Sequence, residues 1–321
     1  MNFTTEIPIL KNPNPIDYNS KIVSLGSCFA ENMGDKFQYF KFQSAINPFG
    51  IIFNPVSIER IIDRVVNGAL FTEEDIFFHN ERWHCFEVHS DLSHSDKAEL
   101  LTNLNQTLVE TKKQLQEASH IIITYGTSWV YRSIEKDFIV ANCHKVPQKQ
   151  FSKELLSVET IETSMRNTID LIQSINSNCS FIFTVSPVRH LKDGFVENQI
   201  SKAHLITAIY HVLNESIGVP PSGARGIFPS YEIMMDELRD YRFYAEDMLH
   251  PSQVAIDYIW ERFRESAISE TAYSTMDVIE SIQKGLQHRP FNPNSESHKK
   301  FEANLQSKIA TLVAQYSFMQ F

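Results

Sequence analysis

A chain of 321 residues, 42% hydrophobic and 21% charged, has the size and composition of one large globular domain with or without an appendage, which argues against a disordered protein. Its formal net charge of −10 repels phosphate backbones and anionic lipid, so we expect neither nucleic acid nor a membrane as a partner. The first residues lack a basic and apolar leader, and no apolar run is long enough for a bilayer, so we expect a cytoplasmic location.

The four cysteines are widely spaced, and no two of them form a CxxC pair. This spacing supports neither a zinc ribbon nor a thioredoxin-like motif. In a large chain with sparse cysteines we expect reduced thiols that pack as small apolar groups. The four are Cys28, Cys85, Cys143 and Cys179.

The predicted elements alternate between long helices and short apolar strands. Residues 1–20 read as an irregular lead-in, and residues 71–96 give no clear assignment. Strands are predicted over 21–25, 120–125, 180–185 and 226–232, the last confined by its proline to an edge or a strand end. Helices are predicted over 29–40, 56–66 with Ser57 as a possible N-cap, 97–118, 158–175, 201–216 and 252–264.

This alternation is typical of βαβ units, and it predicts an α/β fold in which helices cover both faces of a parallel sheet. The clearest boundary is the segment 288–298, rich in Asn, Pro and Ser, which precedes a final amphipathic helix over 299–316. We therefore divide the chain into one α/β domain over 1–285 and a linker with a C-terminal helix over 286–321. The composition of that helix does not decide between self-association and covering the core.

Active sites of open α/β sheets lie at the carboxyl ends of the strands, so polar residues that follow predicted strands are the candidates for chemistry. The first candidate is Gly26-Ser27-Cys28, on a strand-to-helix turn. The N–H groups and dipole of a helix N-terminus favour a thiolate or alkoxide there and can stabilise an oxyanion. The alternative is that Ser27 merely caps the helix and Cys28 merely packs.

The second candidate is the segment Asp247–His250, just before the last helix of the core. Asp247 can accept from one imidazole nitrogen of His250 while the other nitrogen faces a nucleophile. The alternative is a solvated turn without a catalytic role.

Weaker candidates follow the other strands. Thr127 and Ser128 come after Gly126 and offer hydroxyl donors, although a capped loop explains them equally well. Arg189 and His190 follow the strand over 180–185. Further along, Asn142 and His144 stand together in a predicted loop, and a substrate-binding role and a plain surface role both remain open for them.

At these positions the chain closely resembles the GSCFA-domain family, a branch of the SGNH/GDSL hydrolase superfamily. The resemblance covers roughly residues 15 to 265. The matching strings are Gly26–Ala30, Asn47–Pro55, Asn142–Lys145, Ser186–His190, Arg239–Tyr244 and Asp247–Pro251. It implies a three-layer α/β/α sandwich with a flavodoxin-like sheet and a covalent acyl-enzyme mechanism.

The resemblance also implies roles for individual residues. The last superfamily block, Asp-x-x-His, matches at Asp247 and His250, which become the triad acid and base. The first block is Gly-Asp-Ser, and here Ser27 stands at the Asp while Cys28 stands at the nucleophile. We favour Cys28 as the nucleophile, because a thiolate at a helix N-terminus beside an imidazole is strongly activated. A shift of one residue would give that role to Ser27.

The oxyanion donors implied by the resemblance are less well matched. Gly50 suits the glycine of the second block. Ser128 stands at the asparagine of the third, with Asn47 or Asn142 as substitutes. The implied activity is ester hydrolysis on an acylated small molecule or glycan, without a cofactor or a metal.

Three alternatives remain. The first is an acyltransferase on the same fold, and the second is a catalytically silent binding module. The third is a metal enzyme that uses the histidines of the segment 79–94, which the sequence disfavours because their spacing lacks a carboxylate or Cys partner on a helix.

Overall fold

The computed structural model describes residues 5–214 and 225–321. In chain order its strands are β1 Lys21–Gly26, β2 Gln43–Ile46, β3 Ile76–His79, β4 Arg82–Cys85, β5 His120–Tyr125, β6 Trp129–Ser133, β7 Ile139–Val140, β8 Phe151–Leu155, β9 Ser180–Val185 and β10 Arg225–Phe228. Its helices are α1 Cys28–Tyr39, α2 Pro55–Asn67, α3 Lys97–Glu117, α4 Val158–Ile175, α5 Phe195–Asn214, α6 Ser230–Glu232, α7 Gln253–Ala267, α8 Glu270–Leu286 and α9 Glu296–Gln315.

The centre of the molecule is a five-stranded parallel sheet in the order β10-β9-β5-β1-β2. Numbered by their order along the chain, these strands run 2-1-3-4-5 across the sheet, which is the flavodoxin-like order. The predicted fold class is thereby confirmed. The last strand, β10, lies at an edge, as its neighbouring proline predicted.

Helices cover both faces of this sheet, because successive side chains of each buried strand point to opposite sides. Ile121 and Ile123 of β5 join the core under α2, α3, α4 and α5. Ile122 of the same strand joins the core under α1, α7, α8 and α9. The chain is therefore a three-layer α/β/α sandwich, and both faces of the central strands are buried, which accounts for their continuous apolar sequences.

Most helix ends follow local capping rules. Helix α4 spans the predicted residues, and the Ser157 side chain accepts from the N–H of Thr160 at its start. At α2 the predicted cap was wrong. Asn54 caps the helix, and its side chain accepts from the N–H of Ser57 at 2.8 Å. Pro55 occupies the first helical position, where the absence of an N–H group costs no hydrogen bond.

Two predicted elements differ in extent. Helix α5 begins at Phe195 rather than 201. Phe195 and Val196 in its first turn are exposed and lie outside the apolar stripe, so the spacing of apolar residues did not indicate this turn. Its predicted end at 216 falls outside the described residues. The predicted strand 226–232 ends as β10 at Phe228. The chain then turns into α6 and a π-helical turn over Ile233–Leu238, and the buried Ser230 at the start of α6 donates to Val185 O at 2.7 Å.

Two small antiparallel sheets were not predicted. Strands β3 and β4 form a hairpin within the unassigned segment, and β6 pairs with both β7 and β8. Their strands have two to five residues and carry charged and aromatic side chains without a steady alternation. Such short strands leave little periodic signal.

The C-terminal helices complete the layer over α1 and α7. Helix α8 was not predicted, whereas α9 lies close to its predicted range. Leu305 and Leu312 of α9 are buried in the same core as Phe37 of α1 and Trp260 of α7. The final helix therefore covers the core.

Within the described ranges, no helix has both the length and the apolar composition needed to cross a bilayer. None of the four cysteines forms a disulfide. Cys85 and Cys179 are buried, and Cys28 and Cys143 are partly exposed.

Candidate functional site

The candidate site lies where the strand order reverses. Strand β1 pairs with β2 on one side and with β5 on the other, so the connections leave β1 and β5 in opposite directions and open a crevice between their carboxyl ends. Such crevices are the usual ligand sites of open α/β sheets. Ser27 and Cys28 follow β1 directly, and Gly126 follows β5.

The turn after β1 brings the backbone very close to β5. Gly26 has φ of +140°, and a Cβ at this position would lie 2.1 Å from the carbonyl oxygen of Thr124. The N–H of Ser27 donates to that same oxygen at 3.0 Å. Only glycine allows this conformation and this approach, so Gly26 sets the position of the two residues after it.

Ser27 and Cys28 have different surroundings. Ser27 is the N-cap of α1, only 2% exposed, and its Oγ accepts from the N–H of Phe29 at 3.3 Å. Cys28 is partly exposed. Burial and then the charge of Glu31 raise the pKa of its thiol, while the charge of Lys202 and the N–H groups of Phe29 and Cys28 oppose that rise. Of the two candidate nucleophiles, Cys28 is the more exposed.

Asp247 and His250 form a hydrogen-bonded pair on an exposed turn. Asp247 Oδ2 lies 2.6 Å from His250 Nδ1. Its other oxygen accepts from the N–H groups of Leu249, at 2.8 Å, and His250, at 3.0 Å. These hydrogen bonds hold the pKa of Asp247 down at about 2, so the carboxylate is charged at neutral pH. Among the described residues, His250 Nε2 has no hydrogen-bond partner and is available to another group.

Arg189 ties this turn to the end of β9. Its backbone N–H donates to Leu249 O at 3.1 Å, and its guanidinium donates to Met248 O at 3.2 Å. The guanidinium also lies 5.4 Å from the ring centre of Tyr244 and 5.5 Å from that of Phe195. The Asp-His turn is thereby fixed against the same edge of the sheet that carries Cys28.

His190 lies beside the turn after β1. The position that a Cβ would take on Gly126 is 3.4 Å from both His190 Nε2 and Ser27 Cβ, so these two groups flank the same point. His190 Nε2 is buried and has no hydrogen-bond partner among the described residues. Burial, followed by the charges of Lys202 and His250, lowers the pKa of His190 to about 3, which keeps its imidazole neutral.

Lys202 was missed in the sequence. It is 1% exposed, and its Nζ donates to Gly126 O at 2.6 Å and to Ser186 O at 2.7 Å. Burial lowers its pKa to about 7. A signal for it existed, because Lys202 shares the buried stripe of α5 with Asn198, Leu205 and Ile209, where a lysine is out of place.

The predicted oxyanion donors of the second block are already engaged. The N–H of Gly50 donates to Asn47 O at 2.7 Å. Asn47 Oδ1 accepts from the N–H of Gly26 at 2.8 Å, and its amide nitrogen lies 3.4 Å from Glu31 Oε1. Gly50 and Asn47 thus brace the turn after β1, and a substrate would have to displace these contacts to use them.

Thr127 and Ser128 are likewise engaged, in this case by Ser201 of α5. Thr127 Oγ1 lies 2.8 Å from Ser201 Oγ, and the N–H of Ser128 donates to the same hydroxyl at 2.8 Å. Ser128 Oγ donates to Ser201 O at 3.1 Å. Both residues are buried, and these contacts dock α5 on the end of β5.

Asn142 and His144 pack against the β3–β4 hairpin. His144 Nε2 lies 2.7 Å from Cys85 O, and Asn142 Oδ1 accepts from the N–H of His144. Both nitrogens of His84 nearby have protein partners, Ser93 Oγ and His79 O. Among the described residues, no three His, Cys, Asp or Glu side chains group as metal ligands.

Comparison with known proteins identifies a family for this chain. No curated protein and no solved structure matches the chain. The model described as "GSCFA domain protein, C-terminal domain" matches residues 279–321, which take in the C-terminal part of α8 and all of α9. The model of the GSCFA family matches residues 21–263, from the start of β1 into α7, and the chain therefore belongs to the GSCFA family.

Proposed function

We propose that this chain is an acyl hydrolase of the SGNH/GDSL type, which works through a covalent thioester on Cys28. The observation that carries the proposal is the Asp247–His250 pair. Its 2.6 Å hydrogen bond leaves Nε2 without a partner among the described residues, on a turn that Arg189 ties to the end of β9. An aspartate that fixes the tautomer of a histidine beside a nucleophile is the arrangement of acyl-transfer triads.

In this mechanism His250 Nε2 removes the proton of the Cys28 thiol, and the thiolate attacks the acyl carbonyl carbon. The leaving alkoxide takes that proton from His250 and departs. Water, deprotonated in turn by His250, then releases the acid and restores the thiol. Asp247 stays ionised throughout and stabilises the imidazolium.

The oxyanion needs donors that are not already engaged. Gly50 and Ser128 use theirs in contacts within the fold. The backbone N–H of Cys28, the first residue of α1, supplies one donor. The neutral imidazole of His190 supplies a second when its proton is on Nε2, which has no partner in the described chain.

An acylated small molecule or glycan fits the rim of this site. Phe195 and Tyr241 are exposed, and their ring centres lie 5.5 and 5.7 Å from the Arg189 guanidinium, so they offer ring faces beside a positive charge. We also propose a cytoplasmic location, which four thiols without a disulfide support.

Hydrolysis of short-chain p-nitrophenyl esters tests the proposal. We expect turnover by the wild type, loss of about 10³-fold or more in Cys28→Ala and His250→Ala, and an acyl adduct on the Cys28 peptide by mass spectrometry. Ser27→Ala is the matched control, because it removes a cap worth about 1 kcal/mol and leaves the thiol. Turnover lost in Ser27→Ala but kept in Cys28→Ala would move the nucleophile to Ser27. Ligand binding without turnover or adduct would favour a silent binding module.

A further inference from the structure

The guanidinium of Arg189 lies against the Asp247–His250 turn and has donors to spare. One of its nitrogens donates to Met248 O at 3.2 Å. A guanidinium has five N–H groups, so the others have no hydrogen-bond partner among the described residues. In the same described ranges, no carboxylate lies within ion-pair distance of Arg189.

The carboxylates of the neighbouring segment have other partners. Asp240 lies 3.4 Å from a guanidinium nitrogen of Arg242. Asp247 forms its 2.6 Å hydrogen bond with His250. The charge of Arg189 is therefore available to a ligand. Because the whole chain has a net charge of −10, an anionic ligand is repelled at a distance and needs such a local cation in order to bind.

Three aromatic rings lie close to this guanidinium. Its central carbon is 5.4 Å from the ring centre of Tyr244, 5.5 Å from that of Phe195 and 5.7 Å from that of Tyr241. Phe195 begins α5, whereas the two tyrosines precede the Asp247–His250 turn, so separate segments converge on one cation. Contacts with the rings and with Met248 O restrict the guanidinium, and little conformational entropy remains to be lost when a ligand binds.

These features fit an anion that carries a planar or apolar part. The planar guanidinium matches two oxygens of a carboxylate or of a phosphate group and can donate two parallel hydrogen bonds to them. Tyr244 is partly buried, but the rings of Phe195 and Tyr241 are exposed and can pack against the rest of the same molecule.

We propose that Arg189, with Phe195 and Tyr241, forms a subsite that binds a carboxylate or phosphate group on the alcohol part of an ester substrate. The choice of the alcohol part rests on the proposed function. In that mechanism His250 protonates the leaving alkoxide, so the alcohol part lies beside the turn that Arg189 contacts. Arg189 determines specificity and takes no part in the making or breaking of bonds.

Two acetate esters of similar shape test the subsite. 4-Acetoxybenzoate carries a carboxylate on its leaving alcohol, and 4-acetoxybenzamide carries a neutral amide in the same place. The ratio of their kcat/KM values should be about tenfold higher in the wild type than in Arg189→Met. A general loss of activity from a displaced turn affects both esters and leaves the ratio unchanged.

Arg242→Met is the matched control, because Arg242 is an exposed arginine whose guanidinium lies 5.3 Å from the ring centre of Phe243. It should keep the wild-type ratio. The same ratio in the wild type and in folded Arg189→Met would overturn the proposal.

Binding of the product tests the subsite without turnover and without Arg189→Met. In protein labelled with ¹⁵N-arginine, 4-hydroxybenzoate should shift one arginine Nε–H signal of the wild type in the NMR spectrum, whereas 4-hydroxybenzamide should not. Arg189→Lys should lack that signal, and Arg242→Lys should retain it. Movement of another arginine signal, or of none, would contradict the subsite. Binding that depends on Arg189 in the absence of ester turnover would support the subsite and count against the proposed hydrolase alone.

Discussion

Two groups of ionisable side chains lie at the same edge of the sheet, the Asp247–His250 turn and the buried bases His190 and Lys202. The turn is made within four residues, and both of its side chains are nearly half exposed. Hydrogen bonds from N–H groups lower the pKa of Asp247, whereas burial lowers the pKa of His190 and of Lys202. We therefore expect substitutions in the exposed turn to change activity with little effect on folding, and substitutions of His190 or Lys202 to change both activity and the free energy of unfolding.

The largest expected effect concerns the turn. Asp247→Asn keeps an oxygen for the N–H groups of Leu249 and His250 but no longer holds the imidazole tautomer, so kcat should fall by about 10³- to 10⁴-fold. The unfolding temperature should stay near that of the wild type, because the side chain is exposed. Ester hydrolysis and thermal unfolding measure the two. Asp240→Asn is the control, since Asp240 accepts from the N–H of Arg242 in the same way. Equal kcat in the two variants would remove Asp247 from the mechanism.

The next effect concerns His190 and the free energy of unfolding at acid pH. The pKa of His190 falls from 6.5 in the unfolded chain to about 3 in the folded chain, so between these values the unfolded state binds the extra proton. The contribution of neutral His190 to the free energy of unfolding is complete above pH 6.5. It is lost as the pH falls towards 3, by about 4 kcal/mol. His190→Asn should therefore lose less stability than the wild type between pH 6.5 and 4, measured by urea unfolding. The exposed His288→Asn should behave as the wild type, and parallel curves for all three would refute the assignment.

A third effect concerns Gly26, whose backbone lies very close to β5. Gly26→Ala places a methyl group 2.1 Å from the Thr124 carbonyl oxygen at a φ of +140°, so the free energy of unfolding should fall by about 3 kcal/mol or more. Gly226→Ala is the matched control on β10, where a Cβ meets nothing within 4 Å. Urea unfolding of both variants gives the difference. A loss of equal size in both would show that the approach at Gly26 carries no special strain.

The smallest effect concerns Arg189, which ties the Asp247–His250 turn to the end of β9. Arg189→Lys keeps a positive charge but loses the planar group that donates to Met248 O and lies against Tyr244 and Phe195, so kcat/KM should fall about tenfold. Arg242→Lys provides the control, because its guanidinium lies 5.3 Å from the ring centre of Phe243 on the same exposed segment. An unchanged kcat/KM in Arg189→Lys would mean that the turn keeps its position without this guanidinium.

Much of the fold could be predicted from the sequence, because many of its strands and helices have a local or periodic sequence pattern. Strands β1, β5 and β9 are short apolar runs closed by polar residues, and α4 carries its own cap at Ser157. The hairpin β3–β4 and the sheet around β6 were not readable, because short strands with mixed side chains depend on their pairing partners. Helix α8 was missed although its capping residue and apolar stripe were present.

The candidate site divides in the same way. The Asp-x-x-His spacing indicated a pair that the structure forms within one turn, and the placement of Ser27 and Cys28 after a strand followed from their position in the sequence. The engagement of Gly50 by Asn47, and of Ser128 by Ser201, could not be read from the chain. Those contacts depend on the final path of the backbone after β1 and β5.

By itself the sequence determined the alternation of strands and helices, the place of Ser27 and Cys28 on a strand-to-helix turn and the Asp247–His250 turn, because each depends on residues a few positions apart. Only the tertiary structure decided that Lys202, more than 70 positions from Gly126 along the chain, lies under the ends of β5 and β9. Contacts at that separation arise when the parallel sheet brings the ends of β1, β5 and β9 together and α5 packs across them. The burial that lowers the pKa of Lys202 exists only in the assembled layers, so no local pattern could reveal its strength.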